Sequence, residues 1–275
     1  MKCVIVVLVI VSAFLFSGCQ TNPVTGETEF VIISPEREKE MGADYAKEVE
    51  KELGKSIHDQ QIQDYVNNVG QKIARVSHMP DYGFSYKAID HNSVNAFAIP
   101  GGYIYITTGM LKQMNNESQL AAVLGHETAH VTARHIANQM TRDLMINLGL
   151  TAASYKVPTT ALRVAGIVAQ LEGMSFTRSQ ERQADQVGLD YLVKAGYTPN
   201  GMIETMEILE KQSESRPIEF LSTHPNPENR IGLIKENIFN NRYSSSGKVG
   251  KEEYAANVTE RLKQLKPQQQ EQPQK

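Results

Sequence analysis

The stretch from Asn116 to Asn138, NESQLAAVLGHETAHVTARHIAN, constrains the chain more than any other. Asn116 is placed to cap a helix, Gln119 stands three residues later as a capping box prefers, and the run that follows is rich in Ala, Leu and Val and free of Pro. Leu120, Val123, Leu124, Glu127, His130 and Val131 recur at helical spacing, so one apolar face runs on into polar residues. The pattern predicts a buried helix with a functional end.

Those polar residues, His126, Glu127 and His130, form an H-E-x-x-H motif. Residues four apart sit one above the other on a helix, so both imidazoles can point at one place in space, an arrangement that suits zinc. Glu127 lies one step round the helix, where a carboxylate reaches a water beside the metal without taking a coordination position. That is the place for a general base.

The 275 residues are 40% hydrophobic, enough for one substantial core, and the formal charge of −3 with no basic block gives no footprint for nucleic acid. Acidic and basic residues are interspersed instead. The first residues, MKCVIVVLVIVSAFLFSGC, put one positive charge, an apolar run and small residues before Cys19, the layout of a secretory signal over 1–18. Ser17, Gly18 and Cys19 resemble a bacterial lipobox, with Phe16 where Leu is usual, which implies acylation of Cys19. Gln20 after it, in place of Asp, implies by the same resemblance an anchor in an outer membrane facing the periplasm. Cys3 and Cys19 are the two cysteines, so a mature chain has no thiol for a metal, and any zinc must use His and carboxylate.

Residues 19–33 read as a tether that then docks. Ser34-Pro35 starts a helix running to about Leu53 with a stripe of Met41, Tyr45, Val49 and Leu53, and a second helix spans about Asp59 to Val76. Phe84 to Asp90 alternates as a strand, and Ala96 to Ile99 and Tyr103 to Thr107 read as short strands around Pro100-Gly101-Gly102. An open edge there suits pairing with an extended peptide by backbone hydrogen bonds. The apolar stretch 141–173 is too short and interrupted to span a membrane, and reads as two helices covering the site or as a lid.

A further strong helix, Thr177 to Leu192, carries Glu181 and Asp185 four apart. Glu181 is the candidate third ligand. Asp185 is the candidate acceptor for the far nitrogen of a ligating histidine, which fixes its tautomer. Residues 34–240 then form one domain, and 241–275 a linker, an amphipathic helix over Glu252 to Leu265 and a disordered tail, PQQQEQPQK.

NAFAIPGGYIYITTGML, LGHETAHVTARH, TRSQERQADQVGLDYL and STHPNPENRI, in that order, resemble the M48 family of zinc metallopeptidases. The resemblance implies zinc on His126, His130 and Glu181, catalysis by Glu127, and Asp185 behind the ligands. It also implies that His224 and Arg230 lie near the zinc. His224 has two readings on the sequence: donor to the oxyanion, or a fourth ligand that closes the site. Together these imply an α+β fold, mainly helical with a small mixed sheet whose edge flanks the metal helix. The activity implied is hydrolysis of unfolded or misassembled envelope proteins, with an assembly factor or chaperone that rarely cuts as the competing class.

Overall fold

The structure is a computed structural model that describes residues 19–154, 175–215, 217–225 and 229–265. The signal read over 1–18, most of the apolar stretch read as a lid and the C-terminal tail lie outside them. The fold is the expected α+β class, mainly helical with one two-stranded and one three-stranded sheet. Among the described residues no helix is long and apolar enough to cross a membrane.

Helices α1 (Pro35–Glu52) and α2 (Gln60–Val76) begin at side-chain caps from Ser34 and Asp59. Strands β3 (Ser85–Ile89), β4 (Ala96–Ile99) and β5 (Tyr103–Thr107) follow an N-terminal hairpin of β1 (Cys19–Thr21) and β2 (Thr28–Phe30). Then come α3 (Thr108–Leu111), α4 (Glu117–Thr132), α5 (His135–Ser154), α6 (Arg178–Lys194), α7 (Asn200–Ser213), α8 (Glu219–Thr223) and α9 (Arg230–Asn240). The chain ends on α10 (Lys251–Tyr254), a π turn (Ala255–Thr259) and α11 (Glu260–Gln264).

Every residue of α4 is buried, its polar side chains included. Asn116 accepts from the Gln119 N–H at 3.0 Å, while the Gln119 side chain accepts from Asn115 and not from the cap itself, so the expected capping box is shifted by one residue. The reciprocal box forms instead on α6, between Thr177 and Gln180. Helices α4 and α6 cross at two glycines: a Cβ on Gly188 would lie 2.9 Å from the His126 nitrogen, and one on Gly125 3.1 Å from the Gly188 oxygen. Glu181 is two turns before Gly188, so the close crossing aims it at the histidines.

The three-stranded sheet has order β3-β5-β4, parallel between β3 and β5 and antiparallel between β4 and β5. Gly101 and Gly102, both at φ +83°, make the tight return from β4 to β5. One face of the sheet buries Tyr86, Ala88, Ile104 and Ile106 in the main core with α2 and α4; the other buries Ile89, Ile99 and Tyr105 against Ala46 and Val49 of α1. Among the described residues strand β4 pairs on one side only, and it lies beside α4. The stripe expected on α1 is rotated: Gly42, Ala46 and Val49 are buried, whereas Met41, Tyr45 and Leu53 are half-buried. The cause is contact between backbones, since a Cβ on Gly42 would fall 2.0 Å from the Pro100 oxygen.

Both ends of the described chain bind this body. Asn22 donates to the Ala133 oxygen at 3.1 Å and Ile32 to Thr141 at 3.2 Å. Residues 242–265, read as linker and short helix, lie against the domain: Tyr254 and Val258 are buried, the Tyr254 hydroxyl donates to the Leu111 oxygen at 2.6 Å, and Lys248 pairs with Glu117 at 2.8 Å.

Candidate active site

Of the seven histidines, four converge behind β4. His126 and His130, stacked one turn apart on α4, bring their Nε2 atoms to 3.1 Å. Their Nδ1 atoms face outward: that of His126 is 3.0 Å from Asp185 Oδ1, and that of His130 is 3.0 Å from Nδ1 of His135. His58 is exposed at the start of α2, and His78 is held by its ring and backbone to the Tyr191 hydroxyl rather than being purely solvated.

Helix α6 supplies the carboxylates. Glu181 is fully buried, with Oε1 3.4 Å from His130 Nε2 and Oε2 3.5 Å from His126 Nε2. Burial pushes its carboxyl up, but His224, His126 and His130 together hold it far below the ordinary range. Arg230, at the start of α9, clamps Asp185 with Nε and Nη2 at 2.7 and 2.6 Å, and Nη2 is 3.3 Å from Glu181. Its Nη1 is buried with no hydrogen-bond partner. His224, at the end of α8, stacks on Phe220 and places Nδ1 3.0 Å from Glu181 and 3.3 Å from His126 Nε2.

Ligating atoms of His126, His130, Glu181 and His224 all lie within 4.8 Å of one another. Tetrahedral zinc with bonds of about 2.0–2.1 Å separates its donors by roughly 3.3–3.4 Å, and the contacts among these four residues run from 3.0 to 3.5 Å. Nε2 of His126 and Nε2 of His130 meet at 3.1 Å, a contact that two bare lone pairs would make repulsive and that one positive charge between them, a proton or a metal ion, relieves. The electrostatics agree. Glu127, Glu181 and Asp185 oppose the one guanidinium of Arg230, a balance of −2 if all are ionised, in a site where each is at most 4% exposed. Burial drives His130 well below its ordinary value, and although burial also pushes His126 down, Asp185 and Glu181 carry it up to about 9. The cluster thus favours positive charge at its centre but not two imidazolium rings. It fits a divalent cation.

Neither oxygen of Glu127 has a hydrogen-bond partner, and Oε1 is 3.5 Å from His224 Nε2. Burial pushes its carboxyl above the ordinary range, against the pull of the His224 and His126 rings. A carboxylate buried, unsatisfied and facing an open strand edge is poised to accept a proton.

His135 is the site neighbour that pattern reading passed over. It is buried, held down at about 4 by burial, and its Nε2 meets Gln183 Oε1 at 2.8 Å. The five-residue offset from His130 does not place it on the same helical face, but α4 stops at Thr132 and Arg134 turns left-handed at φ +57° before α5 starts. That turn folds His135 back under His130. Arg134 is buried and pinned by Glu38 at 3.2 Å and the Ile33 oxygen at 2.7 Å.

Comparison with known proteins follows the same line. The profile of peptidase family M48 matches residues 60–238. A beta-barrel assembly-enhancing protease of Escherichia coli O157:H7 is 31% identical over 227 residues, covering 78% of this chain and 46% of its own. The mitochondrial metalloendopeptidase OMA1 of Schizosaccharomyces pombe is 33% identical over 235 residues, 81% of this chain and 67% of its own. A mitochondrial OMA1 metalloendopeptidase of Danio rerio is 31% identical over 247 residues, 82% of this chain and 51% of its own. The chain spans about half the length of most of these curated relatives. With the family profile over residues 60–238 and relatives above 30% identity across most of its length, this chain belongs to peptidase family M48.

Proposed function

We propose that the protein is a zinc metalloendopeptidase of the bacterial cell envelope that hydrolyses peptide bonds in misfolded or misassembled envelope proteins. The observation that carries the reading is the buried convergence of His126, His130 and Glu181 beside an unpaired Glu127 and an open strand edge. His126, His130 and Glu181 would hold the ion. When bound, zinc supplies a Lewis acid for the scissile carbonyl and a water of lowered pKa.

The chain's own residues do the rest. Glu127 accepts a proton from the attacking water and returns it to the leaving amine as the carbon–nitrogen bond breaks. Asp185, itself clamped by Arg230, accepts from His126 Nδ1 and leaves Nε2 bare. Nη1 of Arg230 is the one guanidinium nitrogen left for a reacting oxygen. Strand β4 offers backbone donors and acceptors to an extended client, a mode that asks for an unfolded segment rather than a sequence.

Envelope location rests on the bacterial relatives named beta-barrel assembly-enhancing proteases and on the lipobox pattern. Cys19 is exposed at the start of β1, accessible to a lipid anchor in the outer membrane. The word assembly in those names favours one second reading, a factor that binds unfolded clients with little cutting. Casein degradation separates the two. Zinc-restored wild type should cleave, the chelated protein should not, and Glu127→Gln should bind zinc yet stay inactive; equal cleavage by Glu127→Gln would sink the assignment of the base.

A further inference from the structure

We infer that Gln183 and His135 form a proton-orienting relay that fixes the tautomer of His130 for metal binding, with both acting as positioning residues behind the site. The inference rests on the zinc reading above. Three contacts in line carry it. Gln183 Oε1 lies 2.8 Å from His135 Nε2, His135 Nδ1 lies 3.0 Å from His130 Nδ1, and His130 Nε2 faces the donor cluster.

An amide oxygen only accepts, so His135 carries its proton on Nε2, and its Nδ1 is left as an acceptor. The facing Nδ1 of His130 must then donate. A neutral His130 with its proton on Nδ1 has a bare Nε2 turned to His126 and Glu181. Each step follows from the one before: the other tautomer of His135 would turn a lone pair to the Gln183 oxygen, and at His130 it would either set two N–H groups against each other or place a proton on the ligating nitrogen. His126 receives the same service from Asp185, a carboxylate, in one step. His130 has no carboxylate among its described Nδ1 partners, and its orientation comes through a neutral ring instead. Glu181 and Phe176 pack on the remaining sides of His130, while His135 is closed in by Phe176 and the left-handed turn at Arg134.

Gln183 lies half-exposed in a groove between α6 and α9, so changing it does not open the core. That makes the relay testable at both links. Purified metal-free protein is titrated with zinc against a chromophoric chelator, and its unfolding temperature without metal is measured alongside. His135→Leu removes the acceptor and should weaken zinc binding on the order of 10 to 100-fold, the usual effect of losing a partner behind a ligand. His135→Gln keeps an acceptor oxygen and should recover most of it. Gln183→Leu should weaken binding about tenfold or less, whereas Gln183→Glu, a stronger acceptor, should not weaken it. In the zinc-loaded, 15N-histidine-labelled protein the His130 Nδ1–H signal should exchange slowly in wild type and Gln183→Glu and fast in Gln183→Leu.

Equal zinc affinity in wild type and His135→Leu would overturn the relay, as would equal losses in His135→Leu and His135→Gln, which would mark a packing role only. Should His135→Leu not fold, the Gln183 pair and its exchange signature decide. Wild type that binds no zinc at all would fail the metalloendopeptidase reading itself, an outcome distinct from failure of the relay.

Discussion

Replacing His224 with Ala tests what sets the resting activity. The ring is 1% exposed, stacks on Phe220 at 4.5 Å and 23°, and has Nδ1 3.0 Å from Glu181 and 3.3 Å from His126 Nε2. Its Nε2 is 3.5 Å from Glu127, so one side chain covers both the donor cluster and the base. On the closure reading this position shuts the site. A hydrogen bond to a charged group contributes about 1.5–3 kcal/mol, which leaves an open fraction of roughly 7% down to 0.6%. His224→Ala should therefore raise casein turnover about 10 to 100-fold at saturating zinc. The assay is fluorescent casein cleavage by zinc-loaded wild type and variant, with zinc affinity measured in parallel. A fall on the order of 100-fold would refute the closure argument and identify His224 as a donor to the oxyanion. Unchanged turnover with unchanged affinity would remove it from the site.

Glu181→Ala should lose most bound zinc, and Asp185→Asn should weaken affinity on the order of 10 to 100-fold; metal content after dialysis checks both, and full occupancy in Glu181→Ala would place the third ligand elsewhere. Gly188→Ala puts a Cβ 2.9 Å from the His126 nitrogen and 3.0 Å from Gly125, so it should cost about 1–3 kcal/mol in metal-free unfolding and also weaken zinc binding; an unaltered midpoint would count against the glycine crossing. Glu117 should make the fold acid-sensitive. Burial pushes its carboxyl up, but Lys248, Tyr197, Tyr65 and Lys72 hold it at about 2, below the ordinary 4.5. A depressed acid stabilises fully above the unfolded value and loses that contribution as pH falls from about 4.5 to 2. The shift corresponds to about 3 kcal/mol, reduced to roughly 1–2 because both lysines are partly exposed. Denaturant unfolding in chelator at pH 7 and pH 3 should show a smaller loss in Glu117→Gln than in wild type, the difference being this contribution; equal losses would remove Glu117 as a source of acid sensitivity.

Local pattern determined a good deal by itself. The capped, apolar run from Asn116 announces α4, the four-residue offset puts His126 and His130 on one face, and the same offset pairs Glu181 with Asp185 on α6. Mixed strands around Pro100-Gly101-Gly102 were legible too, because alternation and turn residues are local signals. These are properties of neighbours along the chain, which backbone geometry fixes at short range.

Tertiary structure decided what meets across the chain. The rotation of α1 came from Gly42 resting on the Pro100 backbone, a contact that hydrophobic periodicity does not encode. Residues 242–265 carry few apolar side chains, yet Tyr254 and Lys248 bind them to α3 and α4 through partners more than a hundred residues away. His135 is the sharpest case. Its offset of five places it off the face of His130 on any continuous helix, and only the left-handed turn at Arg134, held by Glu38 and Ile33 from the far end of the chain, brings the two rings together. A single left-handed residue costs about 1–2 kcal/mol for a side chain with a Cβ, and it persists because buried long-range contacts outweigh that cost, which is information no local window contains.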